Sequence, residues 1–159
     1  MTSSGRRRRR ASNDSAAAGK ADSGKGVLLD TGVLVALYAR DDPYHFEAAQ
    51  WLAGSHGELH TVEPVLTEAA YFLPVRMRSA IATLAARGGV HLHYPDSAAY
   101  ERIAELMHKY AHRDPDWADI SLVWLAEATG VTRIATLDVA DFSVYRIHGR
   151  KRFELELLG

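Results

Sequence analysis

Residues 27–31 read Val-Leu-Leu-Asp-Thr, a short apolar run that ends in the acidic residue Asp30. Three consecutive large aliphatic residues predict a strand that is buried on both faces, as in a parallel sheet covered by helices. A second run, Ile-Ala-Thr-Leu at 134–137, ends in Asp138 in the same way. Residues just beyond the carboxyl ends of parallel strands share one edge of the sheet, where ligands bind. If the two strands are neighbours, both carboxylates point into one crevice.

The chain from residue 27 onward alternates between strand-like and helix-like segments. Apolar runs and alternating patterns predict strands at 27–29, 58–62, 90–94, 133–137, 144–147 and 153–157. Helical spacing with Pro, Gly and Asp boundaries predicts helices at 31–38, 43–53, 64–73, 76–87, 97–111 and 116–129. This alternation indicates right-handed crossovers and helices on both faces of the sheet. We therefore predict one α/β domain at 27–159, a three-layer α/β/α sandwich with a mostly parallel central sheet.

The composition narrows the class of protein. With 47% hydrophobic and 25% charged residues, the 159-residue chain is typical of a soluble globular protein. No apolar run approaches the roughly 20 residues that a membrane-spanning helix needs. The absence of cysteine excludes disulfides and thiolate metal sites and fits a reducing compartment. We expect a cytoplasmic protein that does not contact a membrane.

The first 26 residues differ from the rest in composition. They are rich in Ser, Ala, Gly and Arg and show no apolar periodicity, which predicts a disordered basic tail. Seven basic and two acidic residues give this tail a charge of +5. Because the net charge of the whole chain is −1, the remaining residues carry a charge of −6. The arginine run at 6–10 would suit RNA or an acidic partner, but a solvated tail is the preferred interpretation.

Two further acidic residues lie among apolar helix residues. Glu68 follows Val-Leu-Thr and precedes Ala-Ala, and Asp119 lies in the run Trp-Ala-Asp-Ile-Ser-Leu at 117–122. Burying a lone carboxylate is costly unless a cation or hydrogen-bond donors compensate it. No Lys or Arg lies one helical turn from either residue, although Arg113 could fold back to Asp119. A shared divalent ion would compensate several acids together, and Mg²⁺ or Mn²⁺ prefers such oxygen ligands.

Four segments in sequence resemble the PIN-domain family, and among its members the VapC-type toxins. They are Leu-Asp-Thr at 29–31, Leu-Thr-Glu-Ala at 66–69, residues 116–127, and Thr-Leu-Asp at 136–138 followed by Asp-Phe at 141–142. Their order and spacing match from residue 27 to about 150, nearly the whole predicted domain. The resemblance implies that four acids are catalytic and bind the metal: Asp30, Glu68, Asp119 and Asp138. Asp116 is implied as a weaker additional ligand.

The same resemblance implies a function. Members of the family cleave RNA with Mg²⁺ or Mn²⁺, usually form homodimers, and as toxins are silenced by a cognate antitoxin protein. Phosphodiester hydrolysis by such metals needs no protein nucleophile, because the metal activates water and stabilises the leaving oxygen. Thr31 and Thr136 are then candidates for hydrogen-bonding a carboxylate or bound water. We predict a metal-dependent endoribonuclease, the toxin of a VapBC-type toxin–antitoxin system.

An acidic site must still attract RNA, and one basic cluster in the predicted domain is a candidate contact. It consists of Arg146, Arg150, Lys151 and Arg152. These side chains would track the phosphate backbone, as would the smaller pair Arg76 and Arg78. The alternative interpretation is a solvated surface.

Simpler interpretations exist for several of these residues. Asp30 and Asp138 could be turn residues at strand ends. Glu68 could cap or form a pair on a helix surface, and the nearby Glu63 is the alternative acid for the site. Asp116 is equally well a helix N-cap. Two other features are not assigned to the site: Asp141 is expected to stabilise the turn at 138–142, and His91 and His93 share a strand face without an evident third ligand.

Two other functions are compatible with parts of this pattern. A non-catalytic PIN-fold RNA-binding module would not need all four acids. A phosphatase with Asp30 as covalent nucleophile would resemble the haloacid-dehalogenase-like enzymes, which carry Asp-x-Asp-x-Thr after the first strand. Residues 30–33 read Asp-Thr-Gly-Val, so the general acid of that motif is missing.

Overall fold

The computed structural model describes residues 26–54 and 57–156. Its strands are β1 (Gly26–Leu29), β2 (Glu58–Val62), β3 (His91–His93), β4 (Arg133–Ala135) and β5 (Glu154–Glu156). Its helices are α1 (Thr31–Tyr38), α2 (His45–Gly54), α3 (Glu63–Phe72), α4 (Val75–Ala86), α5 (Ser97–Lys109), α6 (Trp117–Thr129) and α7 (Val139–Phe142), with a 3-10 turn at Ala111–Arg113. The predicted tail at 1–26 lies outside the described residues, except for Gly26, which begins β1.

The five strands form one sheet in the order β3-β2-β1-β4-β5, and every pairing is parallel. Leu28 of the central strand pairs with His60 on one side and Ile134 on the other. The predicted α/β class is confirmed, and the strands that precede Asp30 and Asp138 are neighbours. The carboxyl ends of β1 and β4 therefore meet at one edge, which brings Asp30 and Asp138 together.

The core explains why β1 occupies the centre of the sheet. All four of its residues are buried, including the neighbours Val27 and Leu28, which are 0% exposed and face opposite sides of the sheet. Both faces are therefore covered. Helix α6 is buried along most of its length, with Ile120 and Leu122 fully inaccessible. Its burial on several sides fits its contacts with α3, α5 and β2.

The segment after β4 differs from the prediction. The alternating pattern at 144–147 predicted a strand, but the structure shows only an isolated antiparallel bridge between Ile147 and Lys151. His148 and Gly149 adopt φ values of 49° and 71°, so the chain reverses before a strand can extend. The alternation reflects burial of Tyr145 and Ile147 in the core rather than extended pairing. A short helix, α7, lies where only a turn was expected.

Among the described residues, no helix combines the length and apolar character needed to cross a membrane.

Candidate active site

A cleft of about 1270 Å³ opens where β1 and β4 end. Nine of its lining residues are acidic. Among the described residues, Arg76 is the one basic residue in the lining. The acidic lining comprises Asp30, Asp41, Asp42, Glu68, Asp114, Asp116, Asp119, Asp138 and Asp141. The structure thus brings all four predicted acids, and Asp116 with them, to a single concave surface.

Asp30 is fixed by its position at the junction of β1 and α1. It is the N-cap of α1, and its Oδ1 accepts a hydrogen bond from the Thr31 backbone N–H at 2.6 Å. The side chain lies inside the fold, since the residue is only 5% exposed. Burial raises the pKa of Asp30 to about 6; its hydrogen bonds counteract this, while the negative charges of Glu68 and Asp138 add to it. The carboxylate is rigidly oriented yet carries a charge that the fold alone compensates poorly.

Two threonine hydroxyls orient the acids. Thr136 Oγ1 donates to Asp30 Oδ2 at 2.6 Å and accepts from the Asp138 backbone N–H at 2.9 Å, so it links the ends of β1 and β4. Thr31 Oγ1 donates to Glu68 Oε2 at 2.6 Å, which ties α1 to α3. Each predicted hydroxyl therefore hydrogen-bonds a carboxylate at this edge of the sheet.

We expect the Thr136→Val variant to show a free energy of unfolding about 1–3 kcal/mol lower than that of the parent chain. The shape of the side chain is retained, but Asp30 Oδ2 loses its donor and the Asp138 N–H its acceptor. Denaturant unfolding measures the effect. Thr132→Val is the matched control, because Thr132 also donates to a carboxylate, Glu154 Oε1 at 2.7 Å, away from the cleft. Equal losses of unfolding free energy in both variants would show that the Thr136 hydroxyl contributes no more to stability than another threonine–carboxylate hydrogen bond.

Three carboxylates converge more closely than the rest. Asp119, Asp138 and Asp141 each place one oxygen within 4.8 Å of the others. Asp119 is 8% exposed, and its burial raises its pKa to about 8, with further contributions from the charges of Asp30, Asp116, Asp138 and Asp141. Carboxylates held this close favour binding of a divalent cation, which removes their mutual repulsion.

Asp116 is a helix N-cap that also lines the cleft. It is the N-cap of α6, where its Oδ1 accepts from the Ala118 backbone N–H at 2.7 Å. It also lines the cleft one helical turn before Asp119, and its charge contributes to the raised pKa of that residue.

Asp141 was not assigned to the site from the sequence. The α7 N-cap is instead Asp138, whose Oδ1 accepts from the Asp141 backbone N–H at 2.9 Å. The Asp141 carboxylate faces the other acids and accepts from Arg113 Nη2 at 2.6 Å and Nε at 3.2 Å. Arg113 therefore pairs with Asp141, and not with Asp119, which the sequence offered as its partner. The spacing of three residues between the two aspartates was the available signal, because it places them on one side of a helical turn.

Tyr145 is a second polar group that the sequence did not reveal. The residue is 0% exposed, and its hydroxyl has no hydrogen-bond partner within the described part of the chain. Burial, followed by the charge of Asp119, raises the pKa of this hydroxyl. The side chain packs edge-to-face against Tyr110 and Phe142, so its sequence pattern was that of a core aromatic.

The predicted basic cluster lies outside the lining of the cleft. Arg146 Nη1 donates to the backbone carbonyls of Ser143, Val144 and Tyr145, each at 2.8 Å, and so stabilises the loop after α7. Arg150, Lys151 and Arg152 are exposed.

Comparison with known proteins agrees with this architecture. The family model of the PIN domain matches residues 27–146, and the chain belongs to the PIN-domain family. It is similar in fold to the VapC20 toxin of Mycobacterium tuberculosis, described as cleaving the sarcin-ricin loop. That match has a TM-score of 0.64 and 20% identity and covers 68% of this chain and 86% of the toxin.

A second similar structure is VapBC2 from Rickettsia felis, solved with a DNA fragment from its promoter. Here the TM-score is 0.58 and the identity 14%, over 82% of this chain and 98% of the other. Identities this low establish a shared fold and no more. No curated protein matches the sequence.

Proposed function

We propose that this chain is a divalent-metal-dependent endoribonuclease and the toxin of a VapBC-type toxin–antitoxin pair. The observation that carries the proposal is the convergence of Asp30, Glu68, Asp119 and Asp138 on one cleft of a PIN-family domain. These acids come from four separate elements, and two of them are buried. Acidic residues that served only to keep surface loops soluble would not be brought together in one cleft, because their burial and mutual repulsion cost free energy.

The donor set fits Mg²⁺ or Mn²⁺. Every candidate ligand is a carboxylate, the hard oxygen donor that these ions prefer. Burial, followed by the charges of neighbouring acids, raises the pKa values of Asp30 and Asp119, and Arg113 hydrogen-bonds Asp141 rather than either of them. The ion would be held by the four predicted acids, with Asp141 and the weaker Asp116 as additional ligands. When bound, it supplies Lewis-acid stabilisation of the phosphate and a more acidic water.

The protein's own groups position these acids. Thr136 and the Thr31 backbone N–H each hold one oxygen of Asp30, and the Thr31 hydroxyl holds Glu68. Arg76, which lines the cleft, is placed to contact an RNA phosphate. The exposed residues Arg150, Lys151 and Arg152 would extend the phosphate contacts beyond the cleft.

The toxin assignment rests on the sequence resemblance to VapC-type toxins, and the two structures of similar fold support it. One is a toxin that cleaves an RNA loop, and the other is a toxin–antitoxin complex on promoter DNA. Exposed apolar side chains on the segments that contribute Tyr44 and Phe72 to the cleft lining would contact a protein partner, the cognate antitoxin or a second copy in the expected homodimer. They include Tyr44, Phe46, Tyr71, Phe72 and Val75.

RNA cleavage with and without EDTA tests the proposal. We expect Mg²⁺- or Mn²⁺-dependent cleavage that EDTA abolishes and that Asp30→Asn reduces to background. Asparagine is as good an N-cap as aspartate, so this change removes charge without removing the cap. Asp96→Asn is the matched control, because Asp96 caps α5 by accepting from the Ala99 N–H at 2.8 Å outside the cleft lining.

Several outcomes would contradict the proposal. Cleavage that survives EDTA, or full activity in Asp30→Asn, would reject the metal mechanism. RNA binding without cleavage would favour a non-catalytic module. Growth arrest on induction that Asp30→Asn relieves would support the toxin role, and its absence in a chain that cleaves RNA in vitro would leave a nuclease that is not a toxin.

The phosphatase alternative finds no support in the site. An Asp30 nucleophile of this type would need a general acid two positions further along the chain, and that position is Gly32.

A further inference from the structure

A second group of potential metal ligands lies on the sheet outside the lining of the acidic cleft. Glu58 and His60 occupy alternate positions of β2, so both side chains project from the same face. His91 and His93 do the same on β3, where His91 pairs with His60 and His93 with Val62. The sheet therefore places three imidazoles and one carboxylate side by side.

The side chains of this group make direct contacts. His60 Nδ1 lies 3.0 Å from His93 Nε2, a hydrogen-bond distance. Glu58 Oε2 lies 3.9 Å from His60 Nε2 and 3.8 Å from His91 Nε2. The rings of His60 and His91 stack with centroids 5.0 Å apart. The neighbouring strand thus adds a third imidazole to the His91 and His93 pair.

His60 is the fixed member of the group. Its side chain is 8% exposed and packs over Gly26 of β1, where a Cβ atom would approach the ring to 2.9 Å. Burial and the neighbouring imidazoles lower the pKa of His60, which favours the neutral form that binds metals. Glu58 and His91 are instead exposed, with 69% and 54% of their side-chain surfaces accessible.

We propose that Glu58, His60 and His91 form a binding site for a borderline transition-metal ion such as Zn²⁺, with His93 orienting His60. In the tautomer of His60 that donates from Nδ1 to His93 Nε2, the Nε2 lone pair is available on the side of Glu58, and a hydrogen bond of this kind from the second ring nitrogen is typical of metal-binding histidines. Imidazole and carboxylate ligands together match Zn²⁺, whereas the all-carboxylate cleft matches Mg²⁺ or Mn²⁺. The proposal does not depend on the ribonuclease function.

Metal binding requires a rearrangement of the group, because its three ligand atoms, unlike those of Asp119, Asp138 and Asp141, do not all lie within 4.8 Å of one another. Ligand atoms around a tetrahedral Zn²⁺ are separated by about 3.3 Å, given bond lengths near 2.0–2.1 Å. The distances of 3.8 and 3.9 Å from Glu58 Oε2 are only slightly larger. The stacked His91 ring must also turn so that its Nε2 converges on the ion. Both adjustments fall on exposed side chains, while the buried His60 stays in place.

Isothermal titration with ZnCl₂ tests the proposal on the full chain, with excess Mg²⁺ present to occupy the cleft. We expect Glu58→Gln and His91→Gln each to weaken Zn²⁺ binding by roughly tenfold or more. His108→Gln, a change at an exposed histidine near the end of α5, is expected to leave binding unchanged. Because Glu58 and His91 are exposed, both variants should fold, which circular dichroism checks.

A further variant separates this site from the cleft. Asp119→Asn should retain Zn²⁺ binding, since Asp119 lies in the cleft and not in the histidine group. The proposal is overturned if the parent chain binds no Zn²⁺, or if His91→Gln and His108→Gln bind it equally well. It is also overturned if Asp119→Asn abolishes binding that the His91 variant keeps.

Discussion

Replacing Asp119 by asparagine is expected to lower metal-dependent RNA cleavage by roughly a thousandfold or more, a loss of about 4 kcal/mol of transition-state stabilisation. Asp119 belongs to the three carboxylates whose oxygens converge within 4.8 Å and would be a direct ligand of the ion. Asparagine keeps the size of the side chain but removes its charge, so the ion is held less tightly and less well oriented. Single-turnover cleavage at saturating Mn²⁺ measures the loss.

The same variant is expected to be at least as stable as the parent chain without metal. The Asp119 carboxylate is 8% exposed and surrounded by negative charges, which together raise its pKa to about 8. A neutral amide avoids this unfavourable charge. Thermal unfolding at pH 9 in EDTA should show an unchanged or higher Tm. Activity loss accompanied by a lower Tm would instead indicate a damaged fold.

Asp114→Asn provides the matched control for Asp119→Asn. Asp114 also lines the cleft but is exposed, and its φ of 51° is one that asparagine adopts readily. The two variants therefore remove the same charge from the same cleft. A comparable loss of activity in Asp114→Asn would mean that overall charge, rather than metal ligation by Asp119, controls the reaction.

The metal-free chain is expected to lose stability as the pH rises from about 4 to about 8. Burial raises the pKa of Asp30 to about 6 and that of Asp119 to about 8, from an unfolded value of 3.8. The folded state therefore binds more protons than the unfolded state across this window, so the stabilising contribution is present below pH 3.8 and is lost as the pH passes these folded values. Each unit by which the folded pKa of a carboxyl group exceeds its unfolded value corresponds to about 1.4 kcal/mol of this change.

Denaturant unfolding in EDTA across this pH range measures the effect, and the Asp30→Asn/Asp119→Asn double variant isolates it. The difference in unfolding free energy between the parent chain and the double variant should widen with pH in favour of the variant. This comparison is needed because the lowered pKa values of His60 and His93 act in the opposite direction. A constant difference would contradict the assignment to these two carboxylates.

Divalent metal should reverse the loss. Mn²⁺ binds the deprotonated carboxylates of the folded chain, so it should raise the Tm of the parent more at pH 8 than at pH 5. The double variant should respond much less. A pH-independent effect of Mn²⁺, or an equal effect on both proteins, would place the ion elsewhere.

The sequence predicted the parts of the site that local patterns encode. Asp30 and Asp138 follow apolar strands, and the parallel topology alone brings strand ends together at one edge. Glu68 and Asp119 were recognisable because a carboxylate among core residues requires a compensating partner. Their assignment to one cleft needed the family resemblance, since no local pattern relates α3 to α6.

The remaining features depend on tertiary contacts. The Arg113–Asp141 pair joins residues 28 positions apart, and nothing near either residue specifies the partner. The segment around Tyr145 has the alternating apolar pattern of a strand. Burial of Tyr145 and Ile147 in a loop produces the same pattern as pairing in a sheet. The contact of His60 with His93 required knowing that β2 and β3 are adjacent.

The hydrogen bond from Thr136 to Asp30 spans 106 residues of sequence. During synthesis, Asp30, Glu68 and Asp119 all leave the ribosome before the strand that carries the last carboxylate. A nascent chain that lacks β4 consequently has neither the bridge nor the complete acidic set. The cleft therefore cannot be complete before β4 and Asp138 have been synthesised, and a product truncated before them should be catalytically inert.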